Sequence, residues 1–385
     1  MTTAQEDSSP PREAVMEGAP ADPPERRSSL PRHWAHWFSL QRLGLLYALG
    51  LVLVVFSVAR PHSFATTQNA ASILSGSAAL TLVSLGIMLP LIVQQYDLSV
   101  AYTASISSLL TIGVMSRSNW PVWQAIALGL AVSLVIGLVN GLLVGYAKLN
   151  SLVVTLGVGS AIYGMSMLYS DGELIYADVP ASFKALGQGR PLGVPLAFVY
   201  ALVVGVAIWY FLSYRRTGRR LYAIGGSETA ARLAGVRVPA LVLLTFVLAA
   251  LLAGLGGIVQ AARVGSSSAD SMTSFLLPAF TASFLGATAI RPGHFNVWGT
   301  FIAVYLIAAG STGMFMLGAP TYVEPLFNGV VLLVAISLAR ITMLRGKDGT
   351  ANSMVAALFG LVGRSGRDNT ATEPAAAPTK DEAGR

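Results

Sequence analysis

The residue with the most chemistry to offer is Asp97, in the stretch "LIVQQYDLSVAYTASI" between two long apolar runs. A carboxylate at the centre of a bilayer costs about 2.5–3.5 kcal/mol, so its surroundings must compensate it. Three settings do so. Asp97 caps the next helix, where a carboxylate meets free backbone N–H groups and the positive end of the helix dipole. Or it lines an aqueous path and bonds a hydroxyl of whatever passes. Or it lies at the end of a span in contact with water. The cap reading accounts for Asp97 and Ser99 standing just before an apolar helix, and it implies a tight break rather than a loop. Broken helices at membrane depth are tolerated only when packed in protein or lining a cavity, so the cap also puts Asp97 beside functional machinery. Ser99, Asn140, Thr155 and Asn328 are further polar residues inside or at the edges of apolar runs. They suit either hydrogen bonds between helices or the lining of a path. His294, in "IRPGH", is the remaining candidate for a path or gate.

Other chemistries are poorly provided for. The chain has no cysteine, which removes disulfides and thiolate metal sites. Its four histidines, His33, His36, His62 and His294, are not spaced as a metal site. No H-E-x-x-H or G-x-S-x-G occurs, and an intramembrane enzyme needs such a set. No phosphate loop of the form G-x-x-x-x-G-K-[ST] occurs either; in "LRGKDGT", Asp348 stands where Ser or Thr is required. The chain is therefore expected to be neither an enzyme nor an ATPase, and to bind no metal or cofactor.

A second group of residues suits mechanical work. The basic loop "YRRTGRRLYAIGGSETAARLAGVRVP" spans residues 214–239. Ser227 is placed to cap a helix with Glu228 in its first turn. "ETAARLA", with Ala231 and Arg232, is good helix-forming sequence, and Gly235 is placed to end it. Gly225 and Gly226 allow a sharp turn in front. A helix of about two turns is expected, either as an ordinary amphipathic loop helix or as a docking helix that inserts into a partner protein.

The elements that must position these residues are membrane spans. Charged residues make up 11% of the 385 positions, against about 25% in soluble domains. Apolar runs occupy residues 43–59, 72–94, 99–115, 122–147, 151–170, 195–213, 240–262, 271–289, 297–317 and 322–339. A spanning helix needs roughly 20 such residues, and a β-barrel would show short alternating segments. The expected fold is an all-α, polytopic membrane helix bundle of about ten transmembrane helices. The third and eighth runs are the weakest, being short and rich in Ser and Thr. With both termini cytoplasmic, thirteen Lys and Arg flank the inner span ends against five at the outer ends. That follows the positive-inside rule, so the net charge of +7 requires no nucleic acid. Residues 1–40 form a cytoplasmic leader expected to be disordered, 41–340 the transmembrane domain with its loop 214–239, and 341–385 a cytoplasmic tail expected to be largely disordered. The tail's "MVAALFGLVGR" is too short to span and suits the membrane interface.

Four motifs, in order over residues 40–340, resemble the permease subunits of bacterial ATP-binding cassette importers for simple sugars. "RTGRRLYAIGGSETAARLAGVRV" is similar to that family's loop, and "YDLSVA" to its Ile-Asp-Leu-Ser-Val-Gly. "NGLLVGYAKLNSLVVTLGVG" and "VWGTFIAVYLIAAGSTGMFMLG" resemble two further family segments. The chain departs from the pattern at Gln94-Gln95-Tyr96, where many members have Gly-Gly-Ile, at Ala101, and at Arg291-Pro292-Gly293-His294. The resemblance implies a multi-pass protein of the bacterial inner membrane, paired with a second permease copy. It implies a separate ATP-binding subunit carrying ATP and Mg, and a periplasmic or lipid-anchored sugar-binding protein. It also implies that Gly225, Gly226, Ser227, Glu228, Ala231, Arg232 and Gly235 form the ATPase-coupling loop. A secondary transporter driven by an ion gradient is the alternative, with Asp97 and His294 as its only deep ionisable candidates.

Overall fold

The computed structural model describes residues 40–176 and 179–345; the leader and the apolar stretch of the tail lie outside the described residues. The chain starts with α1 (Leu40–Ala59), α2 (Thr67–Gly76) and α3 (Ala78–Ile92), the last two almost continuous. Then come α4 (Val100–Ser118), α5 (Val122–Gly141), a π turn (Leu142–Tyr146) and α6 (Ser151–Ser170). A two-residue strand β1 (Ile175–Tyr176) and α7 (Ala181–Gln188) lead to α8 (Leu196–Tyr214). Two short helices, α9 (Arg216–Gly226) and α10 (Glu228–Leu233), precede the long α11 (Val238–Val264). Strand β2 (Ser266–Ser267), α12 (Leu276–Gly286), α13 (Val297–Met316) and α14 (Val323–Arg345) complete the fold.

Each of the ten apolar runs lies wholly or mostly on helix. Six helical stretches are long and apolar enough to cross a membrane unaided: Thr67–Ile92, Val122–Tyr146, Ser151–Ser170, Leu196–Tyr214, Val238–Val264 and Val297–Met316. Leu43–Ala59, Thr273–Gly286 and Val323–Leu338 are shorter apolar helices. At 1.5 Å per residue, the 11-residue α12 is about 17 Å long, little more than half the hydrocarbon core. Its weakness as a span was visible in its composition. The other weak run forms α4, which is long enough at 19 residues but carries many Ser and Thr and is mostly buried.

Helix α11 is the mast of the bundle, with α3, α4 and α5 packed around it. Small residues let them close. Gly137, Gly141 and Gly145 fall four apart along α5 and the π turn, and a methyl on any of them would strike α11 at Ala250, Leu243 or Pro239. Small residues at such a seam are what allow helices in lipid to approach and gain dispersion contact. On the other side, Gly257 of α11 lies against the Ala104 carbonyl of α4. The buried core is apolar, centred on α3 (Leu82, Leu85, Ile87, Met88, Leu89) and Phe246 of α11. The outward faces are apolar too: Val58, Val135, Leu168, Val203 and Leu333 are each exposed. Apolar residues both inside and outside mark a bundle solvated by lipid.

At about 40 Å, the 27-residue α11 separates the two ends of the molecule. Helices α9 and α10 lie before its first residue. After its last, β2 pairs antiparallel with β1 in the register Ile175↔Ser267 and Tyr176↔Ser266.

Candidate functional site

Helix α3 ends because the Pro90 carbonyl accepts the N–H groups of both Val93 and Gln95, which closes the last turn. Gln94 takes a left-handed conformation, φ 61°, and the chain then runs without helix to Ser99. Asp97 lies in this break and is 1% exposed, which removes the water-contact setting. Its Oδ1 accepts the Ser99 N–H at 2.9 Å and the Ser99 hydroxyl at 2.6 Å. The carboxylate therefore serves the backbone and side chain of Ser99, the N-cap residue of α4; it fixes the turn in front of the helix rather than capping the free N–H groups of its first turn, where no side-chain cap bond is made.

The network extends to α5 and α6. Asn140 Nδ2 donates to Ser99 Oγ at 2.8 Å. The Leu98 N–H donates to Thr155 Oγ1 at 3.0 Å, and the Tyr96 N–H to Ser151 Oγ at 3.1 Å. Four of the six residues expected along a path or gate, Asp97, Ser99, Asn140 and Thr155, thus form one buried group where α3, α4, α5 and α6 meet. Asn140 Oδ1 is buried without a partner, so the group keeps one free acceptor. Ser151 belongs to it and was not foreseen, although Asn150, which N-caps α6 through the Leu152 N–H, signals a helix start there.

His294 and Asn328 lie elsewhere. His294 is exposed in the turn before α13, with its ring edge-on to Tyr222 of α9 at 6.3 Å. Asn328 is buried in α14, where its Oδ1 has no partner and its backbone carbonyl accepts from Thr281 of α12. Neither is bonded to the Asp97 group. The residue that organises the "IRPGH" segment is Asn296: Nδ2 donates to the carbonyls of Gly286, Ala289 and His294, and Oδ1 accepts the Gly299 N–H to cap α13.

The basic loop folds as two helices rather than one. Helix α10 has the expected form: Ser227 Oγ accepts the Ala230 N–H, Glu228 pairs with Arg232, and Gly235 follows at φ +79°. Only Ala231 is buried; Leu233 is 86% exposed. The glycines correct the expectation. Gly225 and Gly226 are the last residues of α9, helical rather than a turn, and the chain turns instead at extended Ser227, φ −162°. Gly225 is needed for closeness: a methyl there would strike the Ile92 carbonyl at the end of α3. Its own carbonyl, left over at a helix end, accepts from Gln94 Nε2 at 2.6 Å. Tyr222 donates its hydroxyl to the Phe295 carbonyl at 2.8 Å. Burial pushes that phenol up to about 12, with the Arg291 charge offsetting part of the rise, so the donor keeps its proton at any physiological pH. A crevice of about 190 Å³ runs between α10 and the π turn, lined by Gln95, Lys148, Glu228 and Arg232 among others. Among the described residues no cluster of His, Asp or Glu is arranged to hold a metal ion.

Comparison with known proteins decides the family. Residues 69–336 match the model of the permease component of the branched-chain amino acid transport system. The chain belongs to this permease family. The ribose import permease of Escherichia coli is 31% identical over 298 residues, 76% of this permease and 91% of that protein. The D-allose transport system permease of the same species is 26% identical, covering 78% and 92%. The autoinducer 2 import system permease of Klebsiella pneumoniae is 30% identical, covering 66% and 78%. No solved structure matches the permease. Its relatives are sugar and autoinducer permeases, and its own helices make it a multi-pass membrane protein.

Proposed function

We propose that this chain is the membrane-spanning subunit of an ATP-binding cassette importer that carries a simple sugar or related polyol into a bacterium across the inner membrane. The observation that carries the reading is α10. It is capped, exposed on nearly every side and fixed between α8 and α11, and its neighbour α9 is bonded to the break that holds Asp97. Ten spans with both termini cytoplasmic put α9 and α10 on the inner face, where a separate ATPase supplies ATP and Mg. A binding protein delivers the sugar to the opposite end, beside β1 and β2. A second permease copy completes the path, and the chain itself binds no cofactor. ATP binding closes the ATPases, α10 passes the motion to the bundle, and the path opens alternately to each side. The names of the ribose and D-allose relatives support a sugar as the cargo.

The test is mild detergent purification of the full chain from its own cells, followed by identification of what comes with it. A stoichiometric ATPase, lost when residues 227–235 are scrambled, is the expected result. Uptake by the purified chain alone, abolished by Asp97→Asn, would replace the importer with an ion-coupled transporter.

A further inference from the structure

We propose that Gln94 is the positioning residue that makes the Asp97 break move with the docking loop. The inference rests on the reading of α10 as the ATPase contact and names the route by which its motion enters the bundle. Among the described residues, two side-chain hydrogen bonds join α9 to elements remote in sequence. Tyr222 reaches Phe295 before α13, and Gln94 reaches Gly225. Only the second ends on the break.

The geometry at that end suits transmission. The ends of α3 and α9 meet with no side chain between them, because Gly225 lets its backbone approach the Ile92 carbonyl. Gln94 bridges the two, donating to a carbonyl that α9 cannot satisfy internally. Two residues beyond Gly225, Ser227 opens α10; three beyond Gln94 comes Asp97. Gln94 holds a left-handed backbone that a glycine adopts without strain. Strain retained by a non-glycine residue points to a use for the side chain. Gln95 lines the crevice opposite Glu228 and Arg232, so both glutamines face the loop helices. A displacement of α10 that carries the end of α9 with it therefore pulls Gln94, and with it the backbone that Ser151 and Thr155 hold in register.

Hydrogen–deuterium exchange tests this without knowledge of the cargo. The N–H groups of Tyr96, Leu98 and Ser99 are each bonded to side chains, so residues 93–99 report directly on the break. The full complex with its ATPase is measured with and without ATP and vanadate. In the unaltered protein, exchange changes in both 214–239 and 93–99. In Gln94→Gly, which relieves the backbone and removes the donor, the loop still responds while the response of 93–99 falls at least threefold. Gln94→Glu, similar in shape without a donor, gives the same result. An unchanged response of 93–99 in both variants, or none there in the unaltered protein, overturns the proposal. A loop that ignores nucleotide in the unaltered protein overturns the docking reading instead.

Discussion

The Asp97 carboxylate is held by one residue, Ser99, twice over, and Ser99 is held in turn by Asn140. Removing the carboxylate strands a buried N–H and a buried hydroxyl, at about 1–3 kcal/mol for an unsatisfied group. Asp97→Ala is therefore expected to lower the unfolding temperature in detergent by several degrees, whereas Asp97→Asn keeps a carbonyl acceptor and loses less. Equal melting of the two variants would mean that the carboxylate does not organise the break. Asn140 differs in kind. Its Nδ2 is used and its Oδ1 is free, so Asn140→Leu costs one bond and removes an acceptor that, on the importer reading, serves a hydroxyl of the cargo. Transport is expected to fall more than stability, read as uptake by cells against the melting temperature of the purified chain. The sequence marked Asp97, Ser99, Asn140 and Thr155 because polar residues in apolar runs need a reason. It could not tell that these four meet while His294 and Asn328 stand apart. Their company is decided by which helices pack: α4 lies against α5 and α6, whereas α14 packs mainly on α12.

Helix α10 is six residues long and cannot persist on propensity alone, since isolated helices need about 12–15 residues. What holds it is the Ser227 cap, the turn at Gly235 and one buried residue, Ala231. The Glu228–Arg232 pair is about half exposed and adds only about 0.3–0.5 kcal/mol. Ser227→Ala is thus expected to unsettle α10 by about 1 kcal/mol and, on the importer reading, to weaken the hold on a partner ATPase, with the bundle melting as before. Retention of the ATPase through size-exclusion chromatography reads the first effect, and loss of the bundle's own stability would contradict the assignment. The Ser227 cap and the turn at Gly235 were readable in the sequence, because capping chemistry is local; the burial of Ala231 depends on the helices around it and was not. Helix α9 was missed although its signal is present: Gly218, Leu221 and Ile224 recur on one face and are buried. Reading Gly225 and Gly226 as conformational freedom concealed it. The use of Gly225 is absence of bulk, and only the neighbouring α3 reveals that; a side chain at Gly226 would meet open space.

For the molecule as a whole, the long apolar helices and their order were legible because hydropathy records the solvent. The number that span and the side each loop faces depend on the bilayer. The length of α11 makes the question answerable. It carries the chain about 40 Å from Val238, beside α10, to Val264, beside β2, so those two ends belong to opposite faces if α11 spans. The absence of cysteine gives a clean background for labelling. Leu233 of α10 and Tyr176 of β1 are both well exposed, so Leu233→Cys and Tyr176→Cys disturb little. In right-side-out vesicles, an impermeant maleimide is expected to react with Cys at 176 and to spare Cys at 233 until the membrane is opened. Inverted vesicles reverse the pattern. Reaction of both from one side would mean that α11 does not cross. Reaction of 233 alone from outside would put α10 out of reach of any cytoplasmic ATPase, and the importer reading would fall with it.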